Sequence, residues 1–393
     1  MGCLDAGFFD QGIDRMGTAC EKWDELRAAE GADILPMWVA DMDFRSPPAV
    51  CEALVARAQH GTYGYTAVLP EDAQALAAFW HRRHGFAFTA EDTLMLPCVV
   101  TGLRAAVNAL TQPGDAVVVQ PPVYGPFFSA VDLAGRRILR NPLRETPQGY
   151  RMDLAQLEDC LRAGGKLVLL CNPHNPVGRA WTQAELTELL ALCARYDAYL
   201  VSDEIHADFV FPGRAHVPLL SLPGAAERCL MLVSASKTFN IAGLQQAACI
   251  ATHAPLREAL AKEMRAHGVV SGNLFALVAT RAAYTQGDDW LDGVMAYLAD
   301  ARDIVCRFLA EQLPQIIPAP LEATYLMWLD CRALGLDDAE LTRRTREQGR
   351  VALTSGTSFG PEGTGFLRLN IGCPHAQTRE ALRRLVTALG QAR

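Results

Sequence analysis

Leu167-Val-Leu-Leu-Cys171, running straight into Asn172-Pro-His-Asn-Pro-Val-Gly178, is the stretch on which the fold turns. Five apolar residues without polar alternation suit a strand buried on both faces, and the Asn/Pro/Gly string after them breaks it. The run begins after Gly164-Gly165, and three more of its kind surround it. These are Val117 to Gln120 after the turn signal Pro113-Gly114-Asp115, Tyr199 to Ser202, and Leu230 to Val233. Between Cys171 and Tyr199, Thr182 and Glu185 form a Thr-x-x-Glu capping box, and leucines and alanines then recur at helical spacing to Tyr196. From about residue 90 to 285 strand-length and helix-length segments alternate in this way. The pattern predicts an α/β fold whose large domain is a mostly parallel sheet covered by helices.

From 286 onward the chain reads as helix, then as the strand-like Tyr325 to Leu329 and Phe366 to Asn370 with a Gly-rich loop between them. That loop, Ser355-Gly-Thr-Ser-Phe-Gly360, is a candidate lid. The segment predicts a smaller α+β domain that the N-terminal stretch joins, with boundaries at 48–285 for the large domain and 1–47 plus 286–393 for the smaller.

With 393 residues, half of them hydrophobic and a fifth charged, the chain has an ordinary globular composition. The formal net charge is -8 and Lys and Arg form no patch, so nucleic acid and anionic membranes are not expected partners. The twelve cysteines are scattered, and Cys171, Cys193, Cys229 and Cys249 sit inside apolar runs, which suits buried reduced thiols. There is no Cys-x-x-Cys pair, and His81 with His84 lacks the glutamate of a zinc-protease helix, so no metal site is expected. Met1-Gly-Cys-Leu-Asp-Ala6 has alanine where an N-myristoylation signal needs serine or threonine, and no basic-then-apolar leader follows. No apolar run reaches the roughly 18 residues of a membrane span. A cytoplasmic location is the expectation.

In an open parallel sheet ligands bind at the carboxyl ends of the strands, so the polar residues just after each apolar run carry the chemistry. They are Asn172 to Gly178, Asp203-Glu-Ile-His206 and Ser234-Ala-Ser-Lys237. Lys237 follows an apolar strand, a setting that desolvates the ammonium, lowers its pKa and frees the amine to attack a carbonyl. Singly, each residue has an ordinary reading: a solvated lysine, a helix cap at Asp203, a turn at Asn175. Jointly they match what a pyridine-aldehyde cofactor needs, namely a carboxylate for its ring nitrogen, a donor for its phenolic oxygen and a lysine for its aldehyde. Asp203, Asn175 and Lys237 supply those three.

At these residues the sequence resembles aminotransferase class I/II, the fold-type I pyridoxal-phosphate enzymes, along nearly its whole length. Within that superfamily it is most similar to the MalY/PatB-type cystathionine β-lyases, also called cysteine-S-conjugate β-lyases. The shared stretches are Met37-Trp-Val-Ala-Asp-Met-Asp-Phe44, Gly61 to Thr66, Cys171 to Gly178, Ser202 to His206, Ser236 to Gly243 and Phe366 to Pro374. The resemblance implies pyridoxal 5'-phosphate carried on Lys237, with Tyr124 stacked on its ring and His206 beside it. It implies a phosphate held by Ser234, Ser236 and the backbone near Val99, Val100 and Thr101. Tyr65 would reach the phosphate of a neighbouring subunit and border the substrate, which implies a homodimer with shared active sites. Arg368 would grip the α-carboxylate of an amino-acid substrate, aided by Asn175 and by the backbone at Val39 and Ala40. Two residues separate the chain from ordinary transaminases: His206 in place of tyrosine, and Gln245 in place of a phosphate-binding arginine. Cys98 stands where the lyase pattern has glycine, which puts the local geometry of the phosphate loop in question.

The activity implied is α,β-elimination. Lys237 would remove the α-proton, a thiolate would leave the β-carbon, and the products would be a thiol, pyruvate and ammonia. Two rivals use the same parts: a true transaminase, which returns the proton to the cofactor, and a regulator that binds cofactor without turnover.

Overall fold

The computed structural model describes residues 4–269 and 272–390. Residues 1–3, on which the reading of the N-terminal Met-Gly-Cys partly rests, lie outside them. Seven strands form the main sheet: β1 (Thr93–Leu96), β2 (Ala116–Val119), β3 (Arg137–Arg140), β4 (Gly165–Cys171), β5 (Tyr199–Asp203), β6 (Cys229–Val233) and β7 (Ala247–Ile250). Their spatial order is β1-β7-β6-β5-β4-β2-β3. Every pairing from β6 through β3 is parallel, and β7 runs antiparallel to both its neighbours.

The sheet explains the unbroken apolar runs. Along β4, Leu167 and Leu169 face one apolar layer while Val168 and Leu170 face the other. A strand with period-two side chains and two dry faces has no polar positions to show. One layer is covered by the helix Val99–Leu110 through Leu103, Ala106 and Val107. The other is covered by the helix Gln183–Arg195 through Leu186, Leu189, Leu190 and Cys193. The capping box forms as expected: Thr182 Oγ1 accepts from Glu185 N at 3.3 Å, and Glu185 Oε2 accepts from Thr182 N at 2.9 Å.

The C-terminal part opens with the 25-residue helix Asp288–Gln312. A four-stranded antiparallel sheet follows, made of β8 (Ile317–Pro318), β9 (Leu326–Asp330), β10 (Thr354–Ser355) and β11 (Phe366–Asn370) in the order β8-β9-β11-β10. The N-terminal stretch is tied to this part by Leu35–Pro36, which pairs in parallel with Val351–Ala352. No helix among the described residues is long and apolar enough to cross a membrane. Cys171, Cys193, Cys229 and Cys249 are buried and free.

Candidate active site

Because β4, β5 and β6 are parallel neighbours, their carboxyl ends converge, and the register sets Asp203 level with Cys171 and Leu232. A cavity of about 800 Å³ opens there. Its wall includes Asn175, Asp203, His206, Ser236, Lys237, Val99, Val100, Tyr124, Gln245, Val39, Ala40 and Arg368. Residues scattered from 39 to 368 therefore meet in one space.

Lys237 sits in the one-turn helix Ala235–Thr238, whose N-cap Ser234 accepts from Ser236 N at 3.0 Å. Its ammonium donates to the carbonyl of Ala40. Burial pulls its pKa down to about 8 with help from the Arg368 charge, while Asp41 and Asp203 oppose the shift. Asp203 is 4% exposed and accepts from Ile205 N at 3.1 Å. Burial drives its pKa up to about 7. His206 is held neutral, at about 3, by burial and by the nearby charges of Lys237 and Arg368.

Arg368 projects from β11 and is 5% exposed. Its Nη1 donates to Asn175 Oδ1 at 3.1 Å, and its Nη2 donates to Trp38 O at 2.8 Å and Thr354 Oγ1 at 3.2 Å. The guanidinium lies over the Phe359 ring at 4.9 Å, and its Nε has no partner. No carboxylate among the described residues pairs with it, and burial lowers its pKa to about 10. A buried cation without an anion costs several kcal/mol, of order 3 or more. Among the described residues the cavity thus presents a buried carboxylate outside any salt bridge, an activated amine, and a buried guanidinium with no paired carboxylate.

At the other end of the cavity the helix Val99–Leu110 begins, and the N–H groups of Val99, Val100 and Thr101 lie in its first turn, where the helix itself offers no acceptors. Cys98 is its N-cap with φ -160°, extended backbone that any residue adopts, so cysteine in place of glycine imposes no strain. Its Sγ contacts Thr101 Oγ1 at 3.2 Å. The Thr101 side chain borders a separate surface groove and not the cavity. Ser234 also lies behind the wall, its hydroxyl donating to Gln246 O at 2.6 Å and within 2.7 Å of Ser236 Oγ. Tyr124 is 40% exposed at the cavity edge. Tyr65 is not part of its own chain's cavity: it is fully exposed on the loop before the helix Pro70–His84.

The loop Ser355–Gly360 forms a wall. Ser358 and Phe359 line the cavity, and Val123 N donates to Phe359 O at 3.0 Å.

Several residues that shape the site carry no signal in strand spacing. Asn240, with φ +55°, accepts from Met42 N at 2.9 Å and donates to Met42 O and Phe44 O at 2.8 Å each. It fastens the 39–44 segment beside Lys237. Asn370 holds the same segment through Val39 O at 2.5 Å and Asp41 O at 2.7 Å, and Tyr325 through Ala40 O at 2.9 Å. Behind Lys237, Thr238 Oγ1 donates to Asp208 Oδ2 at 2.6 Å, and Asp208 Oδ1 lies 2.8 Å from His84 Nε2. Asn240 and Asn370 fall inside two of the motif stretches, and that was the only available hint.

The family model for aminotransferase class I and II matches residues 32–385. Cystathionine beta-lyase PatB of Bacillus subtilis is 43% identical over 97% of this chain and 99% of its own. Protein MalY of Escherichia coli is 34% identical over 98% and 99%. The crystal structure of cystalysin from Treponema denticola, which contains a pyridoxal 5'-phosphate cofactor, superposes with a TM-score of 0.94 at 31% identity, over 98% of this chain and 99% of that one. Matched along nearly its full length in sequence and in fold, with the lysine, aspartate and arginine meeting at the strand ends, the chain belongs to the aminotransferase class I and II family.

Proposed function

We propose that the protein is a pyridoxal-phosphate-dependent carbon–sulfur β-lyase that cleaves L-cystathionine or another cysteine S-conjugate to a thiol, pyruvate and ammonia. One observation carries the reading: Asp203, Lys237 and an anion-free Arg368 face a single cavity. The residues fit the cofactor. A buried carboxylate pushed up to about 7 calls for a cation such as a protonated pyridine nitrogen. The Ser236 hydroxyl and the helix end at Val99 and Val100 suit a phosphate, with Ser234 and the Thr101 N–H behind them. Lys237 is the amine for the aldehyde.

Bound there, pyridoxal phosphate supplies an electron sink conjugated to the substrate α-carbon. Arg368 takes the substrate carboxylate through its planar fork, as Asn175 steadies the guanidinium and Val39 and Ala40 close the pocket. Tyr124 would stack on the ring, and His206, kept neutral, would border it without adding a second positive charge. With the cofactor in place, the Lys237 amine would take the α-proton and return a proton to the departing sulfur. Water then completes the release of pyruvate and ammonia.

Elimination is preferred to amino transfer because proteins named cystathionine β-lyase, from Bacillus subtilis and Corynebacterium glutamicum, are 43% and 34% identical to the chain, against 28% for a protein named arginine–pyruvate transaminase. We place the enzyme in the cytoplasm as a homodimer in which Tyr65 reaches the partner's site. Its complete exposure, with Val55, Tyr63, Val68 and Leu69 exposed nearby, supports a covered face. The test is to supply L-cystathionine without a keto acid and measure pyruvate and thiol. Neither product appearing while cofactor is bound would sink the lyase reading, and amino transfer to an added keto acid would replace it with the transaminase.

A further inference from the structure

The N-terminal strap Arg15–Asp24 forms one wall of the same cavity through Arg15, Ala19, Cys20 and Glu21. It is firmly latched. Asp43, 2% exposed, accepts from Arg15 Nη1 at 2.7 Å, Lys22 Nζ at 2.8 Å, Trp23 Nε1 at 2.9 Å and Gln377 Nε2 at 2.9 Å. Arg15 also pairs with Asp41 at 2.6 Å. Asp41 and Asp43 together balance the charges of Arg15 and Lys22, so this cluster is neutral and Arg15 offers little net attraction to an anionic tail. Asp24 is likewise occupied, accepting from Gly17 N, Thr18 N and Cys20 N.

Glu21 differs. It is exposed and lines the cavity, and its carboxylate has no hydrogen bond or ion pair among the described residues. Its charge nevertheless reaches inward, contributing to the rise of the Tyr124 pKa and opposing the fall of the Lys237 pKa. Resting on the lyase reading, the substrate carboxylate goes to Arg368 and its amine to the Lys237 end. The sulfur substituent must then run outward along the wall that the strap provides. Glu21 is the strap's one cavity-lining charge without a counter-ion there.

We propose that Glu21 is a specificity-determining residue that favours cysteine S-conjugates carrying an ammonium group on the sulfur substituent over neutral and, most of all, anionic ones. The far end of L-cystathionine carries an ammonium beside a carboxylate, so it falls between the cationic and the anionic conjugates. The interaction is a rim contact open to water, so it acts on substrate binding more than on the chemical step, and added salt weakens it.

The experiment compares S-(2-aminoethyl)-L-cysteine, S-propyl-L-cysteine and S-carboxymethyl-L-cysteine on cofactor-loaded wild type, Glu21→Gln and Glu21→Lys. Since the three thiols differ in intrinsic leaving ability, each substrate is compared across proteins. The preference for aminoethyl over carboxymethyl should fall about 3- to 10-fold in Glu21→Gln, mostly in KM, and further in Glu21→Lys, the size expected when an exposed charge pair becomes neutral at both arms. Dissociation constants read from the absorbance change of bound cofactor should follow the same order whether or not thiol is released. Absence of thiol and pyruvate from every substrate would sink the lyase reading alone. Equal charge preference in all three proteins, in KM and in the dissociation constants, would overturn the role of Glu21.

Discussion

Burial of the Asp203 carboxyl at the end of β5 has a cost that changes with pH. Its folded pKa of about 7 lies above the ordinary carboxylate value of 3.8, so the fold favours its protonated form. Its contribution to stability is complete below pH 4 and is lost as pH rises through 7. At pH 8 the cofactor-free protein carries a penalty of roughly 3–5 kcal/mol for this group. Asp203→Asn should therefore raise the melting temperature of cofactor-free protein at pH 8, with the gain shrinking as pH is lowered toward 4, while turnover is lost. A melting temperature unchanged at pH 8 would contradict this. For Lys237 the neutral amine is the reactive form and its pKa is about 8. Cofactor-free protein should capture pyridoxal phosphate about tenfold faster per pH unit well below 8 and level off above it, followed by the visible band that borohydride removes. A rate still climbing at the same slope beyond pH 10 would mean an ordinary solvated lysine.

Among the elements, the one-turn helix Ala235–Thr238 is too short to hold its shape alone. The Ser234 cap fixes its start, and the bond from Thr238 to Asp208 fixes its end. Thr238→Val leaves a buried carboxylate oxygen short of a donor, which should cost about 1–3 kcal/mol in urea unfolding and loosen the seating of bound cofactor, whereas Thr238→Ser restores both. Equal stability of the valine variant would show that the bond does not hold the helix. The strands differ in how plainly the sequence announces them. β2, β4, β5 and β6 are legible because they lie inside the sheet with both faces dry, and the ends differ by only one or two residues. β3, with arginine at either end, is an edge strand, and the Ala-Ala-Cys-Ile of β7 is too small and too short to stand out. The antiparallel turn of β7 has no local signature. The residues that gather at the strand ends were legible for the same reason the strands were: a polar residue that ends an apolar run is conspicuous. Asn240, Asp208 and Asn370 were not, since their roles come from contacts roughly 30 to 330 residues away in sequence.

For the molecule as a whole, the question is whether one chain owns a complete site. Tyr65 is fully exposed and outside its own cavity, which is where a residue serving a second subunit would stand. Tyr65→Ala and Lys237→Ala should each be nearly inactive as pure proteins. Unfolded together and refolded as a mixture, they should recover about a quarter of wild-type activity, because half the dimers are then mixed and each has one intact site. No recovery, with mixed dimers present, would assign both residues to one chain's site. Asp43 works at this scale too. Its four donors come from the N-terminal strap and from Gln377, in the last helix, His375–Leu389. Arg15, Lys22 and Trp23 lie within 30 residues of Asp43 and can close their part of the latch locally, whereas Gln377 reaches it from more than 300 residues away, so this one amide stitches the mouth of the cavity to the far end of the described chain.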